Sequence, residues 1–407
     1  MKVSEAGSRS PLAMRRDPDR PLHPSADLLA LDEAGGIVEV SMPMATPGPG
    51  RTWLITRAQD IRLVLGDPAL FSNVLHLPAG GPGGDASPTG PGSLLGLDPP
   101  QHTRLRRLLS AEFSPRRVAG LQAAVAAATR DALSYLHGQD RADLVTSFAR
   151  PIPAVVIAEL LGLPLADREA FCARSAIAID TRLPALTRAD NRAEMEAYMS
   201  ELIGRLRRDP GDGLHDGLLG ALIAGDGSRM TDAELIATGN LLLLAGHETT
   251  TSLIAQSLLL LLDFPEHRET MLRDEASVAS GVEELLRYLT VFHFSLPRTA
   301  QRATVVAGTP IAAGDRILCS FPVANRDASR YPGPDEFQPS RAAGPHLAFG
   351  HGIHYCLGAP LARLEMRTVL PAFFESFPEA EIAPRSGVRY RTGSLTFGLD
   401  ALPVTLR

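Results

Sequence analysis

Cysteine is scarce in this chain, with Cys172, Cys319 and Cys356 the only three in 407 residues. Three thiols cannot form a disulfide framework, suit a reducing compartment, and are too few to hold an iron–sulfur cluster. Aromatic residues make up only 5%, and the single tryptophan, Trp53, is expected in the core. Positive charge is in deficit: 40 Lys and Arg against 46 Asp and Glu leave a net charge of −6. That balance argues against a nucleic acid bound through a basic face. A long uninterrupted apolar run is also missing. The most apolar stretch, Leu241 to Leu262, carries His247 and Glu248 inside it and three threonines after them. Each would be costly in lipid, so the stretch reads as a buried helix and not a membrane span. Met1 to about Pro21 has charges at Lys2, Glu5, Arg9, Arg15 and Arg16 and no apolar core, so it is neither a secretory signal nor an anchor. We expect a flexible segment over 1–21 and a cytoplasmic protein. A credible dinucleotide-binding turn is lacking too. Gly81-Pro82-Gly83-Gly84-Asp85-Ala86 matches the spacing weakly, but no strand precedes it and Pro88 and Pro91 follow.

What is present is an ordinary globular composition, 44% apolar and 21% charged. Apolar periodicity predicts helices at roughly 99–112, 115–137, 152–161, 166–180, 188–207, 214–224, 232–263, 268–273 and 280–289. Strand-like runs fall at 36–40, 52–56, 303–319 and 379–406, with a short helix at 58–65 between them. The loop 77–92 is rich in Gly and Pro. The fold class is mainly α with a small β portion, and without a composition shift residues 22–407 are expected to form one domain.

One short run stands apart: Phe349-Gly350-His351-Gly352-Ile353-His354-Tyr355-Cys356-Leu357-Gly358, with a helix-like stretch from Leu357 to about Leu370. Gly350 and Gly352 allow a tight turn and a close approach to a flat ligand. A thiol in the first turn of a helix faces unpaired N–H groups and the positive end of the dipole, which favour the thiolate, a strong metal ligand. Phe349 would exclude water beside it. An isolated cysteine is more often a structural core residue. This run, however, matches residue for residue the haem-binding loop of cytochromes P450, Phe-Gly-x-Gly-x-His-x-Cys-x-Gly, continued by Ala359-Pro360-Leu361-Ala362-Arg363. The chain therefore resembles the soluble bacterial, actinomycete-like members of that family. The resemblance implies the P450 fold, with haem b between a long central helix and the cysteine helix, and Cys356 as the ligand of iron. It also places Phe349, Gly350, His354 and Gly358 around the cofactor.

Thr231-Asp232-Ala233-Glu234 is a capping-box pattern opening a helix that ends before Pro265. At its centre, Ala245-Gly246-His247-Glu248-Thr249-Thr250 sets small residues, which leave room for a ligand, beside an acid and a hydroxyl able to bond a carbonyl one turn back. A polar break in a core helix would look the same. The run resembles the family's Ala-Gly-x-Asp/Glu-Thr element, which implies that Ala245 contacts the haem and that Glu248 and Thr249 deliver protons for dioxygen activation. Glu284 and Arg287, at i and i+3, can pair on one helical face, with a solvated pair as the default reading. The resemblance implies instead a buried Glu-x-x-Arg element braced by Arg341 of Phe337-Gln338-Pro339-Ser340-Arg341, structural and not catalytic. Asp98 is the expected N-cap of a further helix, with Pro99 at its first position. His102 and Arg106 share one face of it, while Arg104 and Arg107 point elsewhere. By resemblance His102 and Arg106 bind the haem propionates, joined by Arg298 and His354. The family's substrate walls fall on the loop 72–95, on 165–200, on 291–296 and on 392–397. Leu94, Leu244, Ala245, Phe292, Phe294 and Phe397 are the pocket candidates, the phenylalanines being equally suited to the core.

These features imply a haem-thiolate monooxygenase that uses O2 and two electrons to hydroxylate or epoxidise a hydrophobic small molecule, a natural-product intermediate of secondary metabolism such as antibiotic biosynthesis. Two other readings are a peroxygenase fed by hydrogen peroxide and a non-enzymatic P450-like helper. The first tends to lack the acid–alcohol pair and the second the cysteine or the Glu-x-x-Arg pair, all of which this chain has. Electrons are expected from a ferredoxin and its NAD(P)H-dependent reductase, docking over the Cys356 loop with Arg104, Arg107 and Arg363 as candidate contacts. Neither a nucleic acid nor a membrane is an expected partner, and the protein is expected to be a monomer.

Overall fold

The structure is a computed structural model that describes residues 14, 16–17, 19–33, 35–41, 50–74, 93–164, 167–180, 183–208, 217–224, 230–342 and 344–406. Most of the segment 1–21, most of the loop 72–95, the Gly81–Ala86 run and the side chain of Cys172 lie outside them. The described residues are mainly helical, with small sheets at the chain's two ends and beside the cysteine loop.

The central helix, Asp232–Asp263, has the bounds read from the sequence because both ends carry strong signals. Thr231 Oγ1 accepts the Glu234 N–H at 3.2 Å, and the Glu234 carboxylate accepts the Thr231 N–H at 2.9 Å. Pro265 closes the other end and starts the next helix. From Thr250 to Leu261 every residue is buried, the pattern of a helix enclosed on all sides. Leu258, Leu259, Leu260 and Leu261 are each at most 1% exposed, and such burial contributes roughly 1.5–3 kcal/mol per side chain. Helices Pro151–Leu161, Ala185–Arg208 and Ala359–Ser376 pack around it.

Several boundaries differ from the sequence reading. The helix expected at 99 begins at Gln101. Asp98 does not cap it with its side chain: its carboxylate accepts the Asn73 N–H at 3.0 Å and the Ser72 hydroxyl, tying the helix entry to the strand Phe71–Ser72. The stretch 115–137 is two helices, Pro115–Gly120 and Gln122–Leu136. The helix expected at 280 starts at Glu275, because Asp274 caps it by accepting the Ser277 N–H at 2.8 Å. Helix Ala26–Glu33 and the five-residue π-turn Val145–Ala149 went unforeseen, both too short to show a period.

The largest sheet runs Ile37–Glu39, Thr52–Ile55, Arg316–Cys319, Arg298–Ala300, Phe71–Ser72 in spatial order. Only the pair Thr52–Ile55 with Arg316–Cys319 is parallel. Trp53 is in the core as expected, its indole N–H on Asp315 Oδ2 at 2.9 Å. Near the C-terminus, Arg389–Tyr390 and Leu399–Ala401 form a hairpin laid against the central helix. Gln256 Nε2 donates to the Phe397 carbonyl at 3.1 Å, and a Cβ at Gly398 would come within 2.6 Å of Ser252 Oγ. Isolated bridges Phe292–Thr396 and Asp180–Ser394 bring the segments around 165–200, 291–296 and 392–397 together.

Candidate functional site

The cysteine loop is closed by its own backbone, the Cys356 N–H donating to the Phe349 carbonyl at 2.9 Å. Gly350 and Gly352 have φ of +73° and +72°, the left-handed region where a Cβ is penalised. Gly352 is also required by a close approach, but not to a flat ligand. A Cβ there would lie 2.1 Å from the Leu65 carbonyl, so the loop rests on helix Ala58–Gly66. Cys356 precedes the N-cap Gly358 by two residues and is therefore not in the first turn of the helix, which runs Ala359–Ser376. Burial pushes its thiol above the ordinary value, while the Gly358 N–H, the guanidinium groups of Arg106 and Arg363, and the Ala359 N–H pull the other way. Burial outweighs them in the haem-free chain, although the N–H groups at the helix start act in the direction expected from the sequence. A metal cation bound at Cys356 would favour the thiolate, since coordination deprotonates a thiol outright.

Four basic side chains from three segments gather beside this loop. The rings of His102 and His354 lie 4.3 Å apart between centroids. Their four nitrogens are buried without a hydrogen-bond partner among the described residues. Burial, then the charges of Arg298, His102 and Arg106, hold His354 at about 2. Burial and Arg106 likewise lower His102, with Asp98 opposing them. Arg298 donates to the Asn73 side-chain oxygen and to the Leu296 carbonyl, both neutral acceptors. Buried basic groups clustered with so little negative charge are unfavourable by themselves. Two carboxylates placed among them would pair the arginines and satisfy the imidazoles. The two propionates of a haem meet that requirement, so the residues fit the group.

The central helix carries the second group of candidate residues. Ala245, Thr249, Ser252 and Gln256 recur on one of its faces. Ala245 is exposed and Leu244 and Thr249 are part-exposed, in a helix otherwise largely buried from Leu241 onward. The Thr249 hydroxyl donates to the Ala245 carbonyl at 2.5 Å, one turn back. Gly246 does not make room for a ligand as the sequence suggested. A Cβ there would meet Ile157 Cδ1 at 2.7 Å, so the glycine admits a neighbouring helix. Glu248, 1% exposed, pairs through Oε2 with Arg391 Nη1 at 3.0 Å, and its Oε1 lies 3.5 Å from His247 Nδ1. Arg391 belongs to the C-terminal hairpin and also binds Asp400 at 3.2 Å. Sequence reasoning missed it: a buried acid demands a cation, but nothing in the chain's order says which.

Glu284 and Arg287 are fully buried and bidentate, at 2.7 and 2.8 Å. Arg341 Nε reaches Glu284 at 3.0 Å, as does the Gln338 N–H. Two neighbouring residues escaped notice. Asn325 links this network to the cysteine loop, its Oδ1 accepting the Leu347 N–H at 2.7 Å and its Nδ2 donating to Thr290 Oγ1 at 2.9 Å. Glu283 holds Arg363 through two bonds, at 2.6 and 2.9 Å, and Arg363 covers the Phe349 ring at 4.7 Å. Arg363 is thus a brace of the loop, and Arg104 is engaged with Glu234. Of the three docking candidates only Arg107 is exposed without a charged partner among the described residues.

The pocket candidates divide. Phe397 is buried beside the central helix, with its N–H on the Val291 carbonyl at 2.8 Å, and Phe292 is 38% exposed. Phe294 packs instead on the cluster of Leu28, Val38 and Leu54, and Leu94 sits in the main core.

The cytochrome P450 family pattern matches residues 184–398. The chain is 39% identical over 403 residues to cytochrome P450 FAS1 of Rhodococcoides fascians, covering 97% of this chain and 98% of that one. With the vitamin D3 dihydroxylase of Streptomyces griseolus it shares 38% over 375 residues, 88% of this chain and 91% of the other. Among solved structures, the P450 StaH from glycopeptide antibiotic A47934 biosynthesis superposes with a TM-score of 0.84 at 35% identity, over 98% of this chain and all of that one. The cysteine loop, a basic cluster that calls for two carboxylates and near-complete coverage by these relatives agree: the chain belongs to the cytochrome P450 family and is a haem b monooxygenase.

Proposed function

We propose that this enzyme hydroxylates or epoxidises a hydrophobic natural-product intermediate of secondary metabolism. The observation that carries this reading is the acid–alcohol pair Glu248–Thr249 beside the exposed Ala245 on the central helix. StaH, from the biosynthesis of an antibiotic, and a dihydroxylase of vitamin D3, an apolar molecule, give it support.

Haem, when bound, supplies activation of dioxygen and transfer of one oxygen atom to carbon. Cys356 would hold its iron through Sγ, and His102, Arg106, Arg298 and His354 would take its propionates. Ala245 would leave space beside the bound group, and apolar walls around Phe397 would place the substrate carbon by geometry. The Thr249 proton rests on the Ala245 carbonyl and becomes available when the hydroxyl turns away. Glu248 lies next along the chain with one carboxylate oxygen free of a hydrogen bond, and can pass a proton onward once protonated from water. Arg391 positions that carboxylate. Electrons come from outside the chain, from a ferredoxin and its reductase, and the enzyme works in the cytoplasm. No helix of the described residues is long and apolar enough to cross a membrane.

The test compares Glu248→Ala and Thr249→Ala with the wild type in a reconstituted ferredoxin system. Substrate affinity should change only a few-fold. Product per NAD(P)H consumed should fall roughly tenfold or more, with peroxide or water formed instead. Wild-type coupling in the double variant would remove the pair from proton delivery, and turnover on NAD(P)H alone would refute the external supply.

A further inference from the structure

Arg16 reaches in from the N-terminal segment and lays its guanidinium over the Phe397 ring, 4.1 Å from the centroid. Its Nε, Nη1 and Nη2 are all closed off from solvent, and none has a hydrogen-bond partner among the described residues. Burial, and the charge of Arg326, lower its pKa to about 9. Among the described residues no carboxylate pairs with it. Asp335, the acid nearest Arg326, is engaged by that arginine at 3.2 Å and by His23 at 3.6 Å. His293, buried against the same Phe397 ring at 6.0 Å, is held well below its ordinary value by burial and by Arg16.

Magnitudes show that this arrangement needs another component. Removing a cation and its five donors from water costs several kcal/mol, whereas the contact with one aromatic face returns roughly 0.5–2 kcal/mol. A carboxylate would offset the difference, since it matches the guanidinium fork with two parallel hydrogen bonds. Position says whose carboxylate. Arg16 stands on Phe397, whose carbonyl is held by Gln256. Gln256 lies on the same helical face as Ala245 and Thr249, two turns or roughly 10 Å beyond Thr249. The bridge between Phe292 and Thr396 closes the wall beside it.

We propose that Arg16 anchors a carboxylate at one end of the substrate, so that the enzyme acts on amphipathic acids. This rests on the reading of the space beside Thr249 as a substrate pocket. The apolar body would span on the order of 10 Å between the carboxylate and the oxidised carbon.

The experiment titrates the haem-loaded full chain with straight-chain and aryl-terminated carboxylic acids, and with the methyl ester of each. Affinity is read by the spin-state shift of the haem and by calorimetry. Acids should bind tighter than their esters by on the order of 10- to 100-fold. Arg16→Gln and Arg16→Met should erase that preference while leaving ester affinity in place, and Arg16→Lys should keep part of it. Equal affinity of acid and ester in the wild type, or no binding of any acid, overturns the proposal. So does an equal loss for both ligands in the variants, which would make Arg16 a packing residue. Failure of the pocket reading is separate: acids would then bind by calorimetry, lose affinity in the Arg16 variants, and yet cause no spin-state shift.

Discussion

Cys356→Ser removes the strongly red-shifted Soret band of the reduced CO complex and takes oxygenation below detection, while the helical fold persists. The loop carrying Cys356 is held by bonds that do not involve sulfur. The backbone of residue 356 closes it on Phe349, Gly352 seats it on Leu65, and Glu283 with Arg363 braces it from the side. Serine keeps all of these, so the unfolding free energy of the haem-free protein should change by no more than about 1 kcal/mol. What serine lacks is a soft, electron-donating ligand atom. Circular dichroism and the reduced CO spectrum, recorded on the same samples, separate the two effects. An unchanged CO spectrum in the variant would place the ligand on another residue. Loss of the helical signal would make Cys356 a core residue first.

The parts of this molecule legible from its order are those whose physics is local. Thr231, Glu234 and Pro265 mark both ends of the central helix because caps and prolines act within one turn. The motif around Cys356 is contiguous, so its residues could be read together. The features that escaped are made by residues far apart in the chain. Asn325 joins the Glu284 network to the cysteine loop only because the short helix Phe321–Ala324, which it ends, folds beside both. Arg391 meets Glu248 across 143 positions. The glycines teach the opposite lesson. Gly246 and Gly352 were recognised, but the approach each allows is to Ile157 and to Leu65, not to a ligand. A missing Cβ shows that something comes close, not what it is. Asp98 follows the same logic, since a good capping side chain is equally a good partner for Ser72 and Asn73.

Arg287→Met should abolish soluble, haem-loaded protein, although Arg287 is far from any reacting atom. All five of its N–H donors are used: Nε and one Nη2 proton on Glu284, the other Nη2 proton on the Glu336 carbonyl, and both Nη1 protons on the carbonyls of Asn325 and Pro334. Removing it strands the Glu284 carboxylate, fully buried, with only the Arg341 guanidinium and the Gln338 N–H to face it. Breaking a buried pair on one side costs about 3–5 kcal/mol, a large share of a total stability of roughly 5–15 kcal/mol. The damage also travels. Arg287 fixes the Asn325 carbonyl, and the Asn325 side chain holds the Leu347 N–H two residues before Phe349. Loosening Arg287 therefore loosens the loop that presents Cys356. Lysine cannot rescue it, because three donors on one nitrogen cannot serve acceptors arranged for a planar fork. Glu284→Gln in the Arg287→Met background should recover part of the loss by removing the stranded charge. Denaturant melts of the haem-free proteins and haem retention on a sizing column give the two readouts. If Arg287→Met melts with the wild type and keeps its haem, the pair is an ordinary ion pair and the loop is held by other contacts.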